Sequence, residues 1–129
     1  MITGTYASLL ALLLVTLSCR VIALRGTPIF KWFAFGNDGE QSLRRAIRGH
    51  GNLIEYAPIF LILMLVAEMV GLKETALHSY GIVFFVARLM HGLCFGFLKY
   101  SPILRVGGTA LTLGSILGLA VLVLMRYAA

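Results

Sequence analysis

Apolar and polar positions alternate in long blocks along this chain. Four apolar stretches run over about 2–24, 52–70, 76–98 and 104–125, with short polar segments between them. Each is near the ~20 residues that cross a bilayer as a helix. Helix is the expected form, because lipid cannot satisfy open backbone groups and the alternating ten-residue strands of a membrane barrel are not seen. The pattern predicts an all-α, integral membrane four-helix bundle in a single domain, residues 1–129, with a loop at about 25–42. The first stretch has no basic residue ahead of it and is longer than the apolar part of a signal peptide, so it is expected to remain as a spanning helix. "T16-L-S-C-R20" is only weakly similar to a lipoprotein cleavage site.

Composition agrees with the pattern. Hydrophobic residues make up 60% of the chain and charged residues 12%. Soluble domains run about 45–50% and about 25%. The net charge of +6 is unevenly placed: Arg20, Arg25, Lys31, Arg44, Arg45 and Arg48 lie at or between the first two spans. Lys99 and Arg105 lie between the last two, whereas Lys73 stands beside Glu74 in the middle connection. The positive-inside rule therefore puts the first and third connections in the cytoplasm and both termini on the non-cytoplasmic side. No soluble basic face with interleaved aromatics is present, so nucleic acid is not an expected partner. Cys19 and Cys94 lie in or at the ends of apolar stretches without metal-ligand spacing; they read as small packing residues, and no metal is expected.

Smaller signals fill in the connections. "G36-N-D-G-E40" reads as a turn, and Ser42 as the cap of a helix that runs through "LRRAIRGH" into the second span. Trp32 and its Phe neighbours suit a membrane interface. Gly114 and Gly118 have the spacing of close-packed membrane helices. Glu68 and His78 read as interfacial, and Tyr56 and Tyr100 as possible borders of a ligand.

The chemistry gathers at "R48-G-H-G-N-L-I-E-Y-A-P58". At ~100° per residue Arg48, Asn52 and Glu55 form one stripe, and His50 faces elsewhere, toward a loop or a neighbouring subunit. Arg88, His91 and Phe95 share a face of the third span. A charge facing lipid alone costs about 2.5–3.5 kcal/mol on insertion scales, so a Glu55–Arg88 ion pair is expected. Fixed arginines, an amide and one carboxylate suit a zwitterionic ligand that carries carboxylates and an amine.

These residues resemble the MAPEG superfamily, the membrane-associated proteins in eicosanoid and glutathione metabolism. The second-span pattern Arg-x-His-x-Asn-x-x-Glu with a following proline is met by Arg48, His50, Asn52, Glu55 and Pro58. The third-span pattern Arg-x-x-His-x-x-x-aromatic is met by Arg88, His91 and Phe95. The resemblance covers nearly the whole chain and is nearest to small bacterial members, which implies a multi-pass protein of a bacterial inner membrane. It implies a homotrimer that binds glutathione between subunits near the cytoplasmic side, through Arg48, His50, Asn52, Glu55, Arg88, His91 and Phe95. It also implies a microsomal glutathione transferase-like reaction. Arg105 would stabilise the thiolate, and a lipophilic electrophile or lipid hydroperoxide would arrive from the bilayer. Four positions depart from the pattern: Phe95 stands for the usual tyrosine, Gly51 for an arginine of some members, and Gly107 and Gly108 for ligand contacts of others. Two other readings stay open, a non-catalytic member that binds glutathione or a lipid, and a small transporter with Glu55, Arg88 and His91 as a relay.

Overall fold

The computed structural model describes residues 1–99 and 101–129. Tyr100, expected to border a ligand, lies outside them. The chain forms four helices: α1 (Ile2–Leu24), α2 (Glu40–Met69), α3 (Glu74–Gly96) and α4 (Pro102–Ala128). All are long and apolar enough to cross a membrane, and there is no strand among the described residues.

The second helix begins twelve residues before the apolar stretch does. Its first three turns are charged but contain good helix formers, so propensity carries the helix past the point where hydropathy fails. Ser42 does not cap it. Gly39 holds that position, with Ser42 in the first turn. The Ser42 hydroxyl accepts from the Asp38 backbone N–H and donates to the Asp38 carboxylate. Other boundaries follow local chemistry. Pro102 opens α4 where its missing N–H is harmless. Gly71, at φ +76°, closes α2 in a Schellman turn, with the Leu72 N–H bonded to the Ala67 carbonyl at 3.0 Å.

Helices α2 and α3 form the short diagonal of the bundle. Both touch α1 and α4, whereas α1 and α4 do not touch. The centre is sealed by the stacked rings of Phe60 and Phe84, 3.8 Å apart, with Met64, Leu53 and Leu119 buried around them. Large apolar side chains also cover the outside, among them Leu12, Leu117 and Leu124, each about two-thirds exposed. A water-soluble monomer does not carry such a surface; lipid is the solvent it fits.

Each end of the bundle has its own fastening. At the end with the termini, the Glu68 carboxylate accepts from the Ile2 and Thr3 backbone N–H groups (2.6 and 2.9 Å) and from the Thr3 hydroxyl (2.6 Å). It thus caps α1 from another helix. The Tyr6 ring fills the notch at Gly81, and its hydroxyl reaches Nδ1 (3.0 Å) and the carbonyl (3.1 Å) of His78. Glu68 and His78 therefore hold helices together rather than merely facing the interface. At the other end, Arg20 is buried. Its Nε donates to the Gly96 carbonyl (2.8 Å), and one terminal nitrogen donates to the Phe33 and Phe35 carbonyls (2.6 and 2.8 Å). Its guanidinium lies over the Phe35 and Phe97 rings. That one side chain ties the α1–α2 connection, with its single 3-10 turn at Lys31–Phe33, to the end of α3.

Candidate functional site at the α2–α4 seam

The site is built from the Arg20 end of α2, α3 and α4. Gly49 is where α2 comes closest to α3: a Cβ there would lie 3.1 Å from the Phe95 Cβ. Gly108 does the same for α4, with a Cβ 3.0 Å from the Ala87 carbonyl oxygen. Two missing side chains thus bring three backbones together around Phe95 and His91.

Arg88 is fully buried. Its terminal nitrogens donate to Asn52 Oδ1 (2.7 Å) and Thr112 Oγ1 (3.3 Å) and approach His91 Nδ1 at 3.4 Å. Arginine can only donate, so the His91 Nδ1 is the acceptor and the ring proton sits on Nε2. The guanidinium lies 5.7 Å from the Tyr56 ring centre. The Thr112 hydroxyl donates to the Gly108 carbonyl at 2.7 Å, which leaves its lone pairs for Arg88. The Arg88 Nε has no partner among the described residues.

The expected Glu55–Arg88 ion pair is not formed. Glu55 is exposed, and the only ion pairs among the described residues are Arg44–Glu40 and Arg45–Asp38. The cause is angular. At ~100° per residue Glu55 lies roughly 160° from the core-facing Leu53, whereas Asn52 and Tyr56 lie within about 100° of it. The inner edge of the stripe meets α3 and its outer edge looks away. Arg88 is therefore held by neutral acceptors and an aromatic face instead of a carboxylate.

Arg48 and Arg105 remain free at the surface and converge on one ring. Their guanidinium carbons lie 5.4 and 5.9 Å from the centre of Phe95, which stacks on His91 at 4.5 Å. Cation–aromatic contacts of this kind orient an arginine while leaving its N–H donors available. His50 is not in this group. It turns to α1, with Nε2 2.9 Å from the Ser18 hydroxyl. The structure thus gathers Arg48, Asn52, Arg88, His91, Phe95 and Arg105, leaves Glu55 on the outer rim and takes His50 away. Thr112 had no sequence signal beyond its position one turn after Gly108. Among the described residues no group of three His, Cys, Asp or Glu side chains could hold a metal ion.

The profile of the MAPEG family matches residues 3–125. The chain belongs to the MAPEG family. It is similar to "Inner membrane protein YecN" of Escherichia coli strain K12, at 44% identity over 91 residues, which is 70% of this chain and 67% of that protein. The protein of the same name from Escherichia coli O6:H1 matches with the same figures. No solved structure matches. Four spanning-length helices, a lipid-suited surface and membership of the MAPEG family make the chain a multi-pass membrane protein. In this member the two motif arginines of α2 and α3 have separate environments: Arg48 is open and Arg88 is enclosed.

Proposed function

We propose that this MAPEG member is a membrane-bound glutathione transferase or peroxidase acting on lipophilic electrophiles. The convergence of Arg48 and Arg105 on Phe95, from two different helices, carries the reading. Both guanidiniums are exposed, and neither is paired with a carboxylate among the described residues. One would clamp a glutathione carboxylate in its planar fork. The other, Arg105, would favour the thiolate over a thiol of pKa about 8.5. Glu55, on the rim beside them, would take the ammonium, and Asn52, oriented by Arg88, would bond the peptide. In the transferase reaction the thiolate sulfur forms a bond to the electrophilic carbon, the leaving group departs with its electron pair, and the thiol proton goes to water. A lipophilic electrophile would reach the exposed Arg48 and Arg105 from the surrounding lipid rather than through the bundle.

Membership of the family and the charge distribution support an inner-membrane protein with both termini outside and the Arg20 end in the cytoplasm. Exposed charges on the outer edge of α2 support a homotrimer in which a neighbouring copy covers them, since a lone charge in lipid costs about 2.5–3.5 kcal/mol. A transporter is less well supported: the stacked Phe60 and Phe84 rings close the centre, and the polar side chains gather at one end.

The test uses the purified protein in detergent, with glutathione binding by calorimetry and conjugation of a chlorodinitrobenzene. Binding, and a rate above the uncatalysed one that Arg105→Ala lowers at least tenfold, is the expected result. Absence of both binding and rate refutes the proposal. Phe95 favours a second reading, a member that binds glutathione without turnover, because its ring has no hydroxyl. Binding without a rate in the native protein, and a rate gained in Phe95→Tyr, would select that reading.

A further inference from the structure

Another seam, between α1 and α3, faces away from the outer edge of α2. Helices α2 and α3 occupy opposite corners of the bundle, so a neighbouring copy that covers α2 leaves the flanks of α3 to lipid. Leu9, Leu13 and Thr16 of α1 and Phe85, Leu89 and Gly92 of α3 line a groove of about 270 Å³ here. The walls share a helical register. Leu9, Leu13, Thr16 and Arg20 are spaced four, three and four residues apart, as are Phe85, Leu89, Gly92 and Gly96. Each set is one stripe along its helix. Both stripes run to the hydrogen bond from Arg20 Nε to the Gly96 carbonyl. From Leu9 to Arg20 the rise is roughly 16 Å at ~1.5 Å per residue. Half of a ~30 Å hydrocarbon core is about 15 Å.

The Arg20 end of this groove is basic. Phe33 and Phe35 pack on the Phe97 ring, with centres 5.3 and 6.0 Å apart, and so seat the α1–α2 connection over it. Lys31 stands two residues before Phe33, and Lys99 two after Phe97. Both lysines are exposed, and neither pairs with a carboxylate among the described residues. The field of Lys99 reaches Asp38, but Ser42 and Arg45 already engage that carboxylate. Beside Lys31, Ile29 and Trp32 expose apolar side chains, as a segment lying in a membrane interface does. The seam thus has two ammonium groups at one interface and, below them, an apolar groove one leaflet deep.

We propose that the α1–α3 seam binds one anionic phospholipid, with its phosphate between Lys31 and Lys99 and one acyl chain along Leu13, Thr16, Leu89 and Leu93. Charge selects the headgroup. Two ammonium groups favour a phosphate with net negative charge over one balanced by choline. Lysine suits this task, as a point charge on a flexible stem. Each basic residue at an anionic leaflet contributes enough to change lipid occupancy about fivefold. Arg20 is a positioning residue: its bonds to the Gly96, Phe33 and Phe35 carbonyls hold the connection where Lys31 reaches the groove. The seam shares no residue with the Arg48–Phe95–Arg105 group, so lipid binding and glutathione binding fail or succeed separately.

The experiment takes the full chain, delipidated in neutral detergent. It is titrated with phosphatidylglycerol or phosphatidylcholine of matched acyl chains, and bound lipid is read by native mass spectrometry. One phosphatidylglycerol per chain is expected, preferred at least tenfold over phosphatidylcholine. The double variant Lys31→Gln, Lys99→Gln brings the preference to within about twofold, whereas Arg44→Gln, at an exposed residue paired with Glu40, keeps it. Leu93→Trp fills the groove from an exposed position and lowers retention of both lipids, whereas Leu117→Trp, exposed on α4, does not. Equal binding of the two lipids by the native chain overturns the proposal, as does a native-like preference in the double lysine variant or native-like retention in Leu93→Trp. A disulfide between copies in oxidised membranes, formed by Thr16→Cys and not by the native cysteines, also overturns it by placing a second copy on the seam.

Discussion

Replacing Arg20 by methionine removes the hydrogen bonds that join the α1–α2 connection to the end of α3 and leaves the packing of Phe33 and Phe35 on Phe97. Three charge-assisted hydrogen bonds are lost, to the carbonyls of Gly96, Phe33 and Phe35. Bonds of this kind contribute about 1.5–3 kcal/mol each. Burial of a guanidinium works against them by several kcal/mol, and methionine refills the volume without needing partners. The net loss is about 2–4 kcal/mol, and two of the three bonds end on the connection. The effect should therefore appear as opening of that segment, roughly 30- to 1,000-fold more often, at about 1.4 kcal/mol per factor of ten. Limited trypsin digestion in detergent, with fragments identified by mass, reads this as faster cleavage after the exposed Lys31. Arg20→Lys keeps the charge and loses the planar fork that serves carbonyls on two segments, so it should behave like the methionine variant. Unchanged cleavage in Arg20→Met, or full protection in Arg20→Lys, would refute the reasoning.

Three further predictions concern packing, the buried arginine and pH. A Cβ at Gly118 would lie 2.7 Å from the Tyr80 hydroxyl, whereas one at Gly114 meets nothing within 4 Å. Gly118→Ala should thus destabilise by about 1–3 kcal/mol, and Gly114→Ala should stabilise by about 0.5–1 kcal/mol, in thermal unfolding in detergent. Asn52→Leu deprives Arg88 of its closest acceptor and should lower stability by about 1.5–3 kcal/mol, while Glu55→Gln should stay within about 0.5 kcal/mol of the native chain. Equal damage from both would restore the ion pair that the structure lacks. The Asp38 carboxyl is held below its usual range, first by the Ser42 hydroxyl and then by Arg45. Its fastening of the start of α2 is fully present above the unfolded value of about 3.9 and is lost as pH falls through the lower folded value. Exchange protection at Leu43, Arg44 and Arg45, whose N–H groups make the first helical bonds of α2, should be level above that range once corrected for the intrinsic pH dependence of exchange, and should fall only below it.

What was legible in the sequence follows from the range of the physics involved. Hydropathy alone reads α1 as 2–24, because its span is one continuous apolar run, although the cap on its first turn comes from Glu68 on α2. The start of α2 is misplaced by the same method, since it rests on propensity and on the contacts between Asp38 and Ser42. Periodicity groups Arg48, Asn52 and Glu55 correctly as a stripe, but not which edge meets α3. That depends on how α2 is rotated about its axis, which Leu53, Phe60 and Met64 decide by burying themselves. His50 turns away from the stripe as periodicity gives it, but its partner within the chain, Ser18, sits 32 residues away on α1, and no spacing points to it. Arg20 is the hardest case. Its partners are backbone carbonyls, which look alike in every residue, so no spacing could have announced them.

The distribution of satisfied and free polar groups narrows where chemistry can occur. At the end with the termini, Glu68 and Tyr6 find their partners within the bundle. The middle is filled by apolar rings. At the Arg20 end, Arg20 itself is occupied by carbonyls. Arg88 is enclosed, and the crevice beside it is only about 20 Å³, room for nothing larger than a water. A ligand the size of a tripeptide cannot reach that guanidinium without displacing Asn52 or Thr112. In the proposed site Arg88 therefore acts through Asn52, fixing its amide, whereas Arg48 and Arg105 make the contacts. A substitution that spares the Asn52 orientation should spare binding, and one that turns the amide should weaken it even with every exposed arginine in place.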